Sequence, residues 1–198
     1  ATLPEPPRGP ALPPARPVEP WLVPLVDRVA VVDDTGNALP GPKLSGEIVP
    51  PLLRVAGQPV AALADGRLQP LVLARTRRTG RGIDPGTTVT REGELYTVRS
   101  RTLSAWRCRV TRSERLRCSK DWSQRLGAVV TAPPVLAGEL VVVGSWDTFL
   151  YAFDRDTGHL RWRRRVERRL RSRLLVDGPL LAVAIRDPAE IRTFKLRD

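Results

Sequence analysis

Residues 138–162 read GELVVVGSWDTFLYAFDRDTGHLRW, and this stretch decides the fold. Two apolar runs, 140–143 and 149–153, are bounded by Gly, Ser and Asp, which predicts two β-strands joined by a polar turn. Asp154, followed by Asp156, Thr157 and Gly158, suits a tight turn, because glycine readily takes a positive φ. Trp162 then returns on a further strand, where we expect it to pack against the next unit of the fold.

The same pattern recurs along the chain with a period of about 41 residues. Residues 50–65 align with 133–147, two periods apart, and residues 93–106 align with 138–153. A fourth copy begins at Asp177 and ends at Phe194. A period near 40 with several short strands per copy is typical of β-propeller blades, whose small sheets cannot stand alone. We therefore predict an all-β domain of about four blades over residues 25–198.

The N-terminal residues 1–24 differ in composition from the rest of the chain. They contain nine of the 20 prolines and lack hydrophobic periodicity, which predicts an extended tether of the polyproline type. A docking peptide and a plain spacer are both compatible with this composition. Trp21 is the expected point of attachment, since a large aromatic side chain gains little in a solvated linker.

Residues 144–162, preceded by Ala-Pro-Pro-Val-Leu-Ala-Gly at 132–138, resemble the repeat of the pyrroloquinoline-quinone-type (PQQ-like) β-propellers. That superfamily includes quinoprotein alcohol dehydrogenases and the non-catalytic propeller lipoprotein of the outer-membrane β-barrel assembly machinery. The resemblance extends over about residues 25–198 and implies a propeller, although members typically have seven or eight blades. Three interpretations stay open: a closed four-bladed ring, a half-propeller completed by a second copy or another protein, and part of a longer polypeptide.

Groups suited to catalysis are few. His159 is the sole histidine and Asn37 the sole asparagine, and the two cysteines are not adjacent. Quinone enzymes of the resembled superfamily need calcium ligands, an aspartate base and an adjacent cysteine pair. Ser-His-Asp chemistry would rest on His159 alone, which lies in a turn. We therefore expect no catalytic residue, no cofactor and no metal site.

Cys108 and Cys118 flank a hydrophilic centre. If residues 103–110 and 115–122 pair as a hairpin, the two cysteines lie across from one another and can form a disulfide. Such a bond would agree with an oxidising compartment, and the alternative is a pair of buried thiols in a cytosolic protein.

Arginine is concentrated in residues 161–173, where strand alternation would place successive side chains on opposite faces. This cationic edge could bind phosphate groups or acidic side chains of a partner, or it could only guard an edge strand against aggregation. Its eight arginines are Arg161, Arg163, Arg164, Arg165, Arg168, Arg169, Arg171 and Arg173.

Composition limits the function classes. The chain of 198 residues carries 33 basic and 21 acidic side chains, for a net charge of +12, and has no apolar run long enough for a membrane helix. The first hypothesis is an exported, periplasmic or envelope-associated scaffold that holds other protein subunits, which complete the blades or bind the tether. A membrane surface stays open as a contact, whereas the lack of spaced exposed aromatics disfavours nucleic acid. The alternatives are a remnant or portion of a quinoprotein-like oxidoreductase, and an arginine-mediated binder of anionic lipid or nucleic acid.

Overall fold

The computed structural model describes residues 3, 5–14, 19–71, 87–91, 93–111, 116–130, 132–166, 170, 174–186 and 189–196. Within these residues the chain forms strands and no helix. The strands are β1 (Trp21–Pro24), β2 (Arg28–Val32), β3 (Ala38–Lys43), β4 (Ile48–Val55), β5 (Gln58–Leu63), β6 (Leu68–Pro70), β7 (Thr87–Arg91), β8 (Glu94–Arg99), β9 (Thr102–Val110), β10 (Leu116–Arg125), β11 (Val135–Ala137), β12 (Leu140–Gly144), β13 (Phe149–Asp154), β14 (Leu160–Arg165), β15 (Leu174–Asp177), β16 (Leu180–Arg186) and β17 (Ala189–Lys195).

The strands form small sheets with strictly sequential neighbours: β1-β2-β3, β4-β5-β6, β7-β8-β9-β10, β11-β12-β13-β14 and β15-β16-β17. The predicted all-β class and the propeller-type repeat are confirmed. The described residues contain five such sheets, one more than the repeat predicted. The additional sheet is β1–β3, whose residues 21–43 precede the first copy of the repeat at residues 50–65.

Contacts divide the chain into two compact units, and the first comprises Ala1–Pro85, Thr90–Glu94 and Cys108–Cys118. Its core includes buried side chains from β1, β2, β4 and β5, among them Leu22, Val29 and Leu63. Part of the proline-rich segment pairs with β1: the Leu12 and Leu22 backbones exchange hydrogen bonds of 2.7 and 3.1 Å. The tether over residues 1–24 stays a prediction, and β1 lies inside that range.

A disulfide joins Cys108 on β9 to Cys118 on β10, both in the first unit. The backbone N–H of Cys108 also donates to the carbonyl of Gly93 at 2.7 Å. The bond closes a short loop between neighbouring strands, which is the pairing expected from the hairpin.

The second unit comprises Gly86–Val89, Leu95–Arg107 and Ser119–Asp198. In its sheet β11–β14, the strands β12 and β13 bury side chains on both faces, whereas the edge strand β14 is largely exposed. Successive side chains of a strand point to opposite sides, so the two faces can be described separately. One face packs on side chains of β8, β9 and β10, and the other packs on side chains of β15 and β16. The first face presents Val141, Val143 and Phe153, and the second presents Val142, Leu150 and Ala152. This arrangement is typical of a propeller blade between two neighbours.

Candidate interaction surface

The turn after β13 is organised by the carboxylate of Asp154. One carboxylate oxygen accepts hydrogen bonds from the backbone N–H groups of Asp156 (3.1 Å) and Thr157 (2.9 Å) and from the Thr157 hydroxyl (2.9 Å). The other oxygen accepts two bonds from the Arg161 guanidinium, at 3.2 and 2.8 Å. The bonds from Thr157, followed by those from Arg161, lower the pKa of Asp154 to about 2. Asp154 therefore stays ionised and fixes both the turn and one arginine of β14.

Gly158 closes this turn against Trp122 of strand β10. Its φ is +71°, and a Cβ placed there would lie 2.6 Å from Cδ2 of Trp122. The indole N–H of Trp122 donates to the carbonyl of Arg155 at 2.7 Å, and the Gln124 amide donates to the carbonyl of Gly158 at 2.9 Å. The turn thus attaches sheet β11–β14 to β10, a contact that the sequence analysis did not predict.

A second polar contact lies at the opposite end of β13. The hydroxyl of Tyr151 donates to Oδ2 of Asp147 at 2.6 Å, while the backbone N–H of Phe149 donates to Oδ1 at 3.2 Å. Burial and then the Asp147 carboxylate raise the pKa of Tyr151 to about 12. Gly127 leaves room for this pair, since a Cβ there would lie 2.8 Å from Oδ2 of Asp147.

The arginines of β14 separate into two groups. Arg161 is held by Asp154, and Arg164 donates to the carbonyl of Lys195 at 2.7 Å with its guanidinium 4.9 Å from the Trp162 ring centroid. Trp162 itself packs against the core shared with β15 and β16. These two arginines are therefore engaged in intramolecular contacts.

Arg163 and Arg165 form the second group. They lie opposite Tyr151 and Phe149 of β13, on the same face of the sheet, and both are exposed. The Arg163 guanidinium lies 5.4 Å from the ring centroid of Phe149. Neither forms an ion pair in the part of the chain that the structure describes. The remaining arginines of the predicted cationic edge, Arg168, Arg169, Arg171 and Arg173, lie outside the described residues.

An exposed apolar face on sheet β15–β17 was missed by sequence reasoning. Leu175, Leu180 and Ile191 are 66%, 42% and 74% exposed. The register places them on one face, since Leu175 pairs with Ala182, and Ile191 pairs with Ala184. The opposite face, with Leu174, Leu181 and Val183, is buried in the core. The alternation of residues 180–185 contained this signal, but a repeat of blades predicts burial of both faces.

The described residues offer neither a metal site nor a membrane-spanning helix. No cluster of three or more His, Cys, Asp or Glu side chains there could hold a metal ion. The same residues contain no helix with the length and apolar character needed to cross a membrane.

Comparison with known families gives a match over most of the chain. The family model described as "Outer membrane protein assembly factor BamB" matches residues 58–173 and, in a second alignment, 106–195. A comparison with curated protein sequences found no significant match.

Solved structures with a similar fold come from several kinds of protein. BamB from Moraxella catarrhalis is 15% identical with a TM-score of 0.65, and the match covers 94% of this chain and 57% of that one. Hsv2 from Kluyveromyces lactis is 16% identical with a TM-score of 0.66, covering 91% of this chain and 59% of that one. BBS1N, solved in complex with ARL6DN, is 18% identical with a TM-score of 0.64, and the match covers 89% of this chain and 60% of that one. At these identities the similarity shows the fold alone, and the chain spans less than two thirds of each of these proteins.

Proposed function

The chain belongs to the family described as outer membrane protein assembly factor BamB, and on that premise we propose that it is a non-catalytic scaffold holding partner proteins in an envelope-associated assembly. The family description supports a protein-assembly role at the cell envelope. The propeller fold supports it further, because stacked sheets offer broad rigid surfaces for protein contacts.

The observation that carries the proposal is the exposed apolar face of β15–β17. Three large aliphatic side chains, Leu175, Leu180 and Ile191, lie together on a sheet face that a propeller normally covers. Covering their exposed parts would contribute about 4 kcal/mol of apolar burial. Contiguous exposed apolar surface of this kind marks protein contacts.

The occupant that fits this face is an apolar sheet face of another protein subunit. Asp177, Leu180 and Lys195 form one row across the sheet, so that an acid and a base lie on either side of an apolar centre. Neither charged side chain has a partner among the described residues. A complementary sheet would therefore place a basic side chain opposite Asp177 and an acidic one opposite Lys195, and two sheets pack in this way about 10 Å apart.

Site-specific photo-crosslinking tests the proposal in cells that express the natural full-length gene. A photoreactive amino acid at Ile191 should give one dominant adduct with an envelope protein, identified by mass spectrometry. The matched control is Leu39, an aliphatic residue that is 57% exposed on β3. The same adducts at both positions, or none at position 191, would contradict a partner at this face.

A charge introduced into the face provides the second measurement. Ile191→Glu should remove the adduct formed by a photoreactive residue at position 175, because the partner's apolar face would have to cover a carboxylate. Leu39→Glu should leave that adduct unchanged. Cell fractionation of the same strains tests the envelope location, and a protein found only in the cytosolic fraction would contradict it.

A separate experiment tests the proposal that the protein is not a quinone-dependent enzyme. Titration of the purified chain with pyrroloquinoline quinone and calcium should leave the quinone absorbance unchanged. A saturable spectral shift would instead support the quinoprotein-like alternative.

A further inference from the structure

The free edge of β14 offers a second interaction surface. In the sheet order β11-β12-β13-β14 this strand is terminal, so it pairs with β13 on one side only. No described strand pairs with its other side. An edge strand presents backbone N–H and C=O groups that can pair with an added strand.

The side chains of β14 determine which strand fits. Arg163 and Arg165 share one face with Leu160, which pairs with Phe153 across a β-bulge. Leu160 is 48% exposed, and both arginines are exposed without an acidic partner among the described residues. This edge therefore presents, in chain order, one aliphatic position followed by two guanidinium groups separated by one residue.

We propose that the β14 edge binds an extended acidic segment of a partner protein as an added antiparallel strand, with the pattern acid-x-acid-x-aliphatic. In an antiparallel pair, directly opposed Cβ atoms lie about 5 Å apart, so the two acids face Arg165 and Arg163 in turn. Carboxylates accept paired hydrogen bonds from guanidinium groups, which adds geometric specificity to the charge. The aliphatic residue meets Leu160.

The other anionic ligands fit this edge less well. Of the four arginines of β14, Arg161 and Arg164 are held by polar groups inside the molecule, which leaves the charges of Arg163 and Arg165 for an anionic ligand. Arg163 covers the ring of Phe149, which would otherwise be available for stacking on a base. A protein strand also uses the backbone edge, which a lipid surface or a nucleic acid does not.

The inference rests on the proposed scaffold function, since it names a partner for a second surface, but its test is separate. Fluorescence anisotropy with the full, oxidised chain and a labelled peptide containing Glu-Val-Glu-Thr-Val measures the affinity. Arg163→Ser with Arg165→Ser should weaken binding at least about tenfold. The matched control Arg109→Ser with Arg117→Ser removes two exposed arginines elsewhere and should change the affinity less than about twofold.

Two further peptides and a backbone measurement distinguish strand addition from general charge attraction. A peptide of identical composition with adjacent glutamates should bind at least about fivefold more weakly, and so should a peptide with proline in place of the threonine. Hydrogen–deuterium exchange of residues 160–165 should slow when the parent peptide binds. Equal affinity for all three peptides, or unchanged exchange, would overturn the proposal.

Vesicles containing phosphatidylglycerol and a single-stranded oligonucleotide complete the test. Tighter binding to either, lost in the Arg163 and Arg165 variant, would overturn the acidic strand in favour of that ligand. Peptide binding should persist in Ile191→Glu, because that residue lies on another sheet. If the peptide does not bind but the crosslink at Ile191 still forms, only this inference is contradicted. If the peptide binds but no crosslink forms at Ile191, only the proposed partner at β15–β17 is contradicted.

Discussion

Replacing Gly158 with alanine should destabilise the second unit through two separate effects. The residue has a φ of +71°, where an L-side chain costs about 1–2 kcal/mol. The added Cβ would also lie 2.6–2.9 Å from three carbons of the Trp122 ring. This ring cannot easily retreat, because its N–H is bonded to the Arg155 carbonyl at 2.7 Å and the tilted rings of Tyr96 and Phe153 pack beside it, with centroids 6.1 and 6.4 Å away. Overpacking of this kind costs about 1–3 kcal/mol more.

The two effects together predict a loss of about 2–5 kcal/mol, which corresponds to a fall in Tm of about 10 °C. Gly178→Ala is the matched control, since Gly178 has a φ of +52° in the same unit and nothing within 4 Å of its virtual Cβ. It should show the backbone cost alone, about 1–2 kcal/mol. Urea unfolding followed by far-ultraviolet circular dichroism measures both.

A double-mutant cycle isolates the steric part. In a Trp122→Leu background, Gly158→Ala should cost no more than Gly178→Ala does in the parent, because the smaller side chain can make room. Equal losses for Gly158→Ala and Gly178→Ala in the parent chain would refute the packing argument and leave only the backbone term.

Three further expectations concern charge and covalent bonding. The pKa of Asp154 is held at about 2, below the ordinary 3.8, so its stabilising contribution is complete above about pH 4 and is lost as the pH falls towards 2. Asp154→Asn should abolish that part of the pH dependence of the free energy of unfolding, measured with urea. The pKa of Tyr151 is raised to about 12, so folding favours the neutral phenol and stability should decline as the pH rises from about 10 to about 12. Gly127→Ala, with its Cβ 2.8 Å from the bonded carboxylate, should lower this pKa in an ultraviolet titration, and an unchanged value would count against the contact. Reduction of Cys108–Cys118, or replacement of both by serine, should cost about 2–3 kcal/mol in unfolding experiments, whereas reductant should not affect the serine variant.

Local signals in the sequence were sufficient to predict strands and turns. The apolar runs 140–143 and 149–153 coincide with β12 and β13, because β-branched and aromatic residues between polar turn residues have few other ways to be buried. The positive φ of Gly158 was also predictable from the turn sequence. The contact of this glycine with Trp122 was not, since the two residues are brought together only when separate sheets pack.

For the cationic edge too, the sequence predicted the cluster of arginines but not the contacts that each arginine makes. In the sequence, Arg161, Arg163, Arg164 and Arg165 are chemically equivalent, and their clustering predicts an anionic or acidic partner for all of them. In the structure, a bulge and the register with β13 direct Arg161 to Asp154 and Arg164 to the Lys195 carbonyl. Fewer guanidinium groups of β14 are therefore available to a partner than the composition indicates, and those that remain have a defined spacing on one face of the sheet.

By itself, the sequence determined the all-β class, the repeat and the family, because these depend on short-range alternation and turn residues that recur along the chain. Only the tertiary structure decided which surfaces are covered. Both faces of β12 and β13 are buried, whereas one face of β15–β17 exposes Leu175, Leu180 and Ile191. The residues of a strand show which side chains share a face and whether that face is apolar. They do not show whether a neighbouring sheet covers the face, because that depends on how the sheets pack.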